Sequence, residues 1–175
     1  MSLRLAHGAG DPPADEPVEA VVALGANLGA RAETLTAAVD ELRRLPLTSD
    51  VRVSAPVETI AVTLQGADAD APRYLNAVAL VRTRLAPSAL LAHLHDIEAR
   101  HGRVRRERWG DRTLDLDLIA YGDARIDEPA LTVPHPRAHE RTFVLEPWLD
   151  VDPDAALPGR GRVADLLRDL REGER

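Results

Sequence analysis

Two aspartates, Asp115 and Asp117, stand two residues apart in a predicted strand at 114–121. Residues i and i+2 of a strand share a face, with Cα atoms about 6.5–7 Å apart. Both carboxylates can therefore reach one hard cation or bridge two, and Mg²⁺ takes such oxygens together with those of phosphates. The alternative is an exposed face with two solvated acids. Asp is disfavoured in strands, and the two charges repel, which favours a divalent-metal site.

The stretch before these aspartates is dense in positive charge. It contains the arginines Arg103, Arg105, Arg106, Arg108 and Arg112. Charges this close repel unless an anion lies among them, and a polyphosphate suits fixed positive charge beside a metal. A solvated charged loop is the alternative. Trp109 favours ligand binding by a movable loop, because no apolar periodicity surrounds it and an indole can close over a flat heterocycle.

Further polar residues are candidates for the same site. His135 lies between two prolines and could donate to a phosphate oxygen, or could be a structural residue of a turn. Tyr74 and Asn76 share one strand face, where a ring and an amide could bind a heterocycle; a polar strand edge is the alternative. Glu98 falls near the end of a predicted helix, where its charge opposes the helix dipole. A solvated Glu paired with an arginine and a functional Glu are both open at that position.

The elements that position these residues follow from apolar periodicity and breakers. The pattern predicts, in order, a strand at 18–24, a helix at 31–45, strands at 51–57 and 74–81, a helix from Pro87 to Gly102, and the strand at 114–121. Gly25 to Gly29 is predicted to be a turn, and 65–72 a polar loop. This order is typical of an α+β fold with a ferredoxin-like βαββαβ core. Beyond Leu131 we expect additional C-terminal strand and helix elements.

Composition limits the possible functions. The chain has 175 residues, which fits one domain at 18–175, and we expect the Gly-, Pro- and Asp-containing residues 1–17 to be a disordered extension. Cys is absent and all 22 basic residues are Arg, which excludes thiolate chemistry and a Walker A lysine. The net charge of −7 argues against a nucleic-acid partner. We find no apolar run long enough for a membrane span, and expect a cytoplasmic monomer that acts on small molecules.

Several motifs together resemble one family, the 6-hydroxymethyl-7,8-dihydropterin pyrophosphokinases of folate biosynthesis. They are ALGANLG near the start, RYLNAV from Arg73, RWGDRTLDLD from Arg108, and VPHP and ERTFVL in the C-terminal part. The resemblance extends from Val18 to about Leu170. The family often has Thr-Pro-Pro-Leu where this chain has Thr59-Ile-Ala-Val62.

The resemblance implies a reaction and a set of residues. The family transfers the β,γ-pyrophosphoryl group of ATP to the substrate hydroxymethyl oxygen and releases AMP. Asp115 and Asp117 match the family's ligands for two Mg²⁺ ions, and Arg105 and Arg112 match its catalytic phosphate-clamping arginines. The matching ATP-site residues are Glu98, Arg103, Arg105, Arg112, His135 and Arg141. The matching pterin-site residues are Thr59, Val62, Tyr74, Asn76, Trp109 and Phe143.

Two other functions compete with this interpretation. A catalytically silent ferredoxin-like module that binds nucleotides would share the fold, but it has no need for two aspartates beside Trp109 and the arginines. A metal-dependent nuclease would use a similar pair of carboxylates. The acidic net charge and the lack of an extended basic face argue against a nuclease.

Overall fold

The computed structural model describes residues 14–59, 62–63, 66–67, 73–102 and 113–173, with the backbone alone at 62–63 and 66–67. The strands are β1 Val18–Ala26, β2 Thr48–Val53, β3 Val57–Thr59, β4 Val62–Thr63, β5 Gly66–Ala67, β6 Tyr74–Thr83, β7 Asp115–Tyr121, β8 Ile126–Glu128, β9 Leu131–Val133, β10 Ala156–Leu157 and β11 Gly161–Arg162. The helices are α1 Arg31–Arg43, α2 Pro87–Arg100, α3 Thr142–Val151 and α4 Val163–Gly173, with a 3₁₀ helix at Ala138–Glu140.

The central sheet is antiparallel, with the strand order β2-β6-β1-β7. The strand β3 also pairs with β6, next to its beginning at Tyr74. Because β1 lies inside the sheet, both of its faces are buried, which explains the unbroken apolar run at 20–24. The helix α1 connects β1 to β2, and α2 connects β6 to β7. This arrangement confirms the predicted ferredoxin-like α+β core.

The helices α1 and α2 cover one face of this sheet. Their buried residues pack against apolar residues of the strands, such as Leu24 and Val81. The buried helix residues are Leu35, Ala38, Val39 and Leu42 in α1, and Leu90, Leu94 and Ile97 in α2, with Glu98 among them. Pro87 begins α2 as predicted, because a proline in the first turn sacrifices no helical hydrogen bond.

The second predicted strand is two strands in the structure. We predicted one strand through 51–57, whereas β2 ends at Val53 and β3 begins at Val57. The backbone N–H of Ala55 donates to Asp150 Oδ2 in α3 at 2.8 Å, and Pro56 has no N–H. Pairing with β6 is therefore interrupted between the two strands. Within the predicted polar loop at 65–72, Gly66–Ala67 pairs as β5 with β4.

The C-terminal elements form a second layer on the other face of the sheet. Residues of α3 and α4, including Leu145, Trp148 and Leu167, pack on apolar residues of β1, β6 and β7. Those sheet residues are Val21, Val78, Leu80, Ile119 and Ala120. The hairpin β8–β9 lies beside β7, where His135 N donates to Ile119 O at 2.8 Å. The expected C-terminal additions are thus present as helices and short strand pairs.

The chain before β1 is described from Ala14. Ala14 N donates to Arg84 O at 2.9 Å, and Arg84 Nε donates to Ala14 O at 3.0 Å. This end of the predicted extension is therefore tied to the residue that follows β6. Across the described ranges, none of the helices combines the length and apolar character that a bilayer crossing requires.

Candidate functional site

The sheet face that carries α3 and α4 has a polar half. Strand register defines it, since residues directly opposite each other in antiparallel strands point to the same face. Gly25 of β1 lies opposite Asn76 of β6 on one side and opposite Asp115 of β7 on the other. Ala23 similarly lies opposite Asp117. With strands about 4.8 Å apart, Asn76 and Asp115 stand about 10 Å apart across Gly25.

Gly25 is the residue of this face that the sequence interpretation missed, because it was assigned to a turn. It lies within β1, and a Cβ built on it would come 3.1 Å from Asn76 Oδ1 and 4.0 Å from Tyr74 Cδ1. A lone glycine in an apolar strand is a recognised sign of close backbone approach. That signal was present in the sequence and could have placed Gly25 in the site.

Asn76 is held in place at one end of the polar half. Its side chain is 6% exposed, and Nδ2 donates to Thr59 Oγ1 at 2.8 Å. Thr59 comes from β3, directly opposite Tyr74, so the pairing of β3 with β6 brings these three predicted site residues together. The tyrosine is half-buried. An amide fixed in this way can present its remaining polar groups to a ligand with a defined orientation.

Asp117 and Asp115 occupy the other end. Both are half-buried, and Asp117 Oδ2 accepts a hydrogen bond from Arg141 Nη1 at 3.1 Å. The guanidinium carbon of Arg141 lies 5.7 Å from the centre of the Phe143 ring. Arg141 and Phe143, at the start of α3, are thereby joined to the aspartates of β7. Among the described residues, no three His, Asp or Glu side chains cluster as a ready-made metal site.

His135 lies close to this pair of charges. Burial lowers the pKa of His135 below its ordinary value, the charge of Asp117 acts in the opposite direction, and Arg141 and Arg137 lower it further. The backbone N–H of Arg137 donates to His135 Nδ1 at 3.2 Å. The neutral ring therefore carries its proton on Nε2, from which it can donate to an anion.

Glu98 is not a solvated helix residue. It is 1% exposed, and its Oε1 accepts the backbone N–H of Leu116 at 2.8 Å. The alternative of a solvated Glu is therefore excluded, because Glu98 lies on the buried side of α2, against β7. Its carboxylate is bound to the peptide group between the two aspartates.

Some of the predicted residues cannot be placed. Arg103, Arg105, Arg106, Arg108, Trp109 and Arg112 lie outside the described residues. Val62 belongs to β4, but its side chain is likewise not described. Of the predicted site, the structure brings together Tyr74, Asn76 and Thr59 at one end and Asp117, Arg141, Phe143 and His135 at the other. Asp115 lies beside Asp117 on β7, at the same end.

The fold is that of a ferredoxin-like α+β domain, and one face of its sheet carries a buried amide, Asn76, and two carboxylates, Asp115 and Asp117. Residues 21–153 match the family described as 7,8-dihydro-6-hydroxymethylpterin-pyrophosphokinase (HPPK). The chain belongs to this family.

Relatives with related sequences agree with this assignment. The 2-amino-4-hydroxy-6-hydroxymethyldihydropteridine pyrophosphokinase of Pseudomonas aeruginosa is 44% identical over 146 residues, which cover 83% of this chain and 88% of that protein. The protein of the same name from Haemophilus influenzae is 38% identical over 155 residues, covering 89% and 94%.

A solved structure supports the fold. The wild-type HPPK-DHPS of Plasmodium falciparum matches with a TM-score of 0.65 at 12% identity, over 88% of this chain. This chain covers only 41% of that longer one, so the likeness concerns the domain fold alone.

Proposed function

We propose that this protein transfers the β,γ-pyrophosphoryl group of ATP to the hydroxymethyl oxygen of 6-hydroxymethyl-7,8-dihydropterin, with Mg²⁺ bound at Asp115 and Asp117. The bond from the α-phosphate to the transferred group breaks, a new oxygen–phosphorus bond forms, and AMP leaves with the pterin diphosphate as product. Pyrophosphoryl transfer to this pterin is the activity of the family and a step of folate biosynthesis. One observation carries the proposal: an oriented amide and a pair of carboxylates lie about 10 Å apart on one sheet face.

The amide end suits the pterin. Asn76 keeps an N–H and its Oδ1 for the polar edge of the ring, while Tyr74 supplies aromatic surface beside it. Phe143, next to Arg141, would supply a second aromatic surface from the carboxylate end. Gly25 leaves room for a flat ring against the backbone of β1. Thr59 orients Asn76. We also assign Val62 and Trp109 to this pocket, on the basis of the family resemblance.

The carboxylate end suits Mg²⁺. Two aspartate oxygen donors on one strand face, with phosphate oxygens and water as further ligands, form the kind of coordination set that Mg²⁺ prefers. Arg141 partly balances the charge of Asp117 and can turn to a phosphate when a cation takes its place. We propose two Mg²⁺ ions, as the resemblance implies. When bound, they would neutralise phosphate charge and favour loss of the hydroxyl proton.

The phosphates have further candidate contacts. A neutral His135 can donate from Nε2, and Arg141 can bind phosphate oxygens with its planar guanidinium. From the resemblance we add Arg103, Arg105 and Arg112, with Arg105 and Arg112 stabilising the transition state. The resemblance also assigns Glu98 to the ATP site, but its carboxylate faces the backbone of β7. We further propose that the protein acts in the cytoplasm as a monomer.

The test is the identity of the nucleotide product. Purified protein with ATP and Mg²⁺ should form AMP only when the hydroxymethyl pterin is added, and chelation should stop the reaction. ADP as the product, or no AMP with the pterin present, would contradict the proposal. Asp117→Asn should lower turnover about 100-fold or more. Asp127→Asn, which changes an exposed acid on β8, should not.

No observation favours a catalytically silent nucleotide-binding module. The described face retains both aspartates together with Asn76, Tyr74 and Phe143, which a module of that kind would not require. Pterin-independent binding of a nucleotide, without turnover, would have to be observed to support it.

A further inference from the structure

Glu98 stands out among the charged residues of the described chain, because it is 1% exposed. Burying a carboxylate is unfavourable unless hydrogen bonds or an opposite charge compensate for lost hydration. Its place in the last turn of α2 is also unfavourable, since the negative end of the helix dipole lies there. Because burial and the helix dipole both disfavour its charge, Glu98 must be stabilised by the groups that it contacts.

A peptide group of β7 is one of the partners of Glu98. Its Oε1 accepts the N–H of Leu116 at 2.8 Å. Leu116 lies opposite Leu24 in the register, with Asp115 and Asp117 on either side of it. Successive residues of an antiparallel strand direct their backbone groups to opposite edges. The N–H of Leu116 therefore points to the outer edge of β7, the last strand in the sheet order, while the aspartates bond toward β1.

This hydrogen bond anchors the backbone on which the carboxylate pair is mounted. The side chain of Leu116 is 2% exposed in the core under α2, so two contacts hold the same residue: apolar packing below and Glu98 at the edge. The spacing and direction of the two aspartates depend on the peptide groups between them. A shift of those groups would move one carboxylate relative to the other.

We infer that Glu98 is a positioning residue, which fixes the metal-binding geometry of Asp115 and Asp117 by accepting the N–H of Leu116. The inference deepens the proposed function and rests on it for the role of the aspartates. Glu98 places the two carboxylates indirectly, by holding the backbone of β7. The hydrogen bond to Leu116 contributes more to this placement than the negative charge of Glu98 does. Loss of a group that orients metal ligands commonly lowers metal affinity by about 10- to 100-fold.

Two substitutions separate the hydrogen bond from the charge. Glu98→Gln keeps an oxygen acceptor of nearly the same shape and removes the charge. Glu98→Ala removes both. Glu33→Ala, which changes an exposed glutamate of α1, is the matched control. Circular dichroism and thermal unfolding establish that each variant is folded.

The first measurement is amide hydrogen exchange of Leu116 by NMR in the metal-free protein. The second is the affinity for Mn²⁺, with a nonhydrolysable ATP analogue present, by calorimetry. In Glu98→Ala we expect the Leu116 amide to exchange at least about 10-fold faster and the Mn²⁺ affinity to fall about 10- to 100-fold. In Glu98→Gln, the protection of the Leu116 amide and the Mn²⁺ affinity should both return most of the way to the wild-type values.

Other outcomes overturn the inference. A folded Glu98→Ala with wild-type exchange and wild-type Mn²⁺ affinity excludes a positioning role. Equal losses in Glu98→Gln and Glu98→Ala show that the charge matters and not the hydrogen bond. If Glu98→Ala does not fold, Glu98→Asp decides, because the shortened side chain should lose Leu116 protection while keeping the charge. Wild-type protein that forms no AMP refutes the proposed function, whereas the exchange and affinity measurements still test Glu98.

Discussion

Replacing Gly25 by alanine should weaken binding of the pterin and leave the metal end of the site intact. The added methyl group would lie 3.1 Å from Asn76 Oδ1, which is closer than side chains normally tolerate. Asn76 has little freedom to retreat, because it is 6% exposed and its Nδ2 is bound to Thr59 Oγ1 at 2.8 Å. The amide must therefore shift by a few tenths of an ångström or give up a hydrogen bond.

The size of the effect follows from the hydrogen bond at risk. A net hydrogen bond contributes about 1 kcal/mol, and a buried polar group left without a partner costs about 1–3 kcal/mol. Since 1.4 kcal/mol corresponds to a factor of ten, kcat/KM for the pterin should fall about 5- to 150-fold. Asp115 also neighbours Gly25 in the register, but the described atoms within 4 Å of the new methyl group belong only to Asn76 and Tyr74. The KM for ATP and the Mg²⁺ dependence should therefore change little.

The assay is steady-state AMP formation with each substrate varied in turn. Gly173→Ala is the control, because that glycine is exposed at the end of α4 and its new Cβ would meet no described atom within 4 Å. If the pterin kinetics of Gly25→Ala equal those of the wild-type protein, Gly25 is not needed to leave room for the pterin ring. An equal loss for ATP and for the pterin would also refute that role of Gly25, because it would indicate a general distortion of the sheet.

Three further predictions follow from the described residues. Asp117→Asn should lower kcat about 100-fold or more at saturating Mg²⁺, since a metal ion contributes several kcal/mol to charge stabilisation; near-normal turnover would contradict the metal role. Burial alone would raise the pKa of Glu41, but hydrogen bonds from Arg100 and His101 outweigh it and hold that pKa below its ordinary value. These hydrogen bonds stabilise the folded state by about 1 kcal/mol or less. That contribution is present above the pKa of Glu41 in the unfolded chain and is lost as pH falls through the lower pKa of the folded protein. In urea unfolding, the wild-type protein should therefore be more stable than Glu41→Gln near neutral pH and equally stable in acid. Leu47→Gly should raise the free energy of unfolding by about 0.5–1 kcal/mol, because Leu47 has φ of 56° and a left-handed conformation costs an L-residue about 1–2 kcal/mol; lower stability in urea unfolding would contradict this.

The core elements were predictable because local patterns agree with the fold. The apolar run of β1, the period of α1 and α2, and Pro87 at the start of α2 each predict the observed element. The break between β2 and β3 was not predictable. It depends on a hydrogen bond from Ala55 to Asp150, a residue distant in the sequence, and local propensity contains no information about such a partner.

The shared strand faces of the candidate site residues could be predicted, but the full geometry of the candidate site could not. The spacing of Asp115 and Asp117 predicts a shared face, and β7 shows that both lie on it. The same spacing rule pairs Tyr74 with Asn76. It does not show that Gly25 separates Asn76 from Asp115, because that relation requires the register of three strands.

Local periodicity and short motifs encode the ferredoxin-like order of elements and the chemical groups of the candidate site, so both can be read from the sequence. The positions of those groups relative to one another depend on the tertiary structure. Pairing of β1 with β6 and β7 brings an amide and two carboxylates onto one face, and packing of α2 buries Glu98 behind them. Contacts between residues far apart in the chain set these positions, and such contacts form only when the whole sheet and its helices assemble.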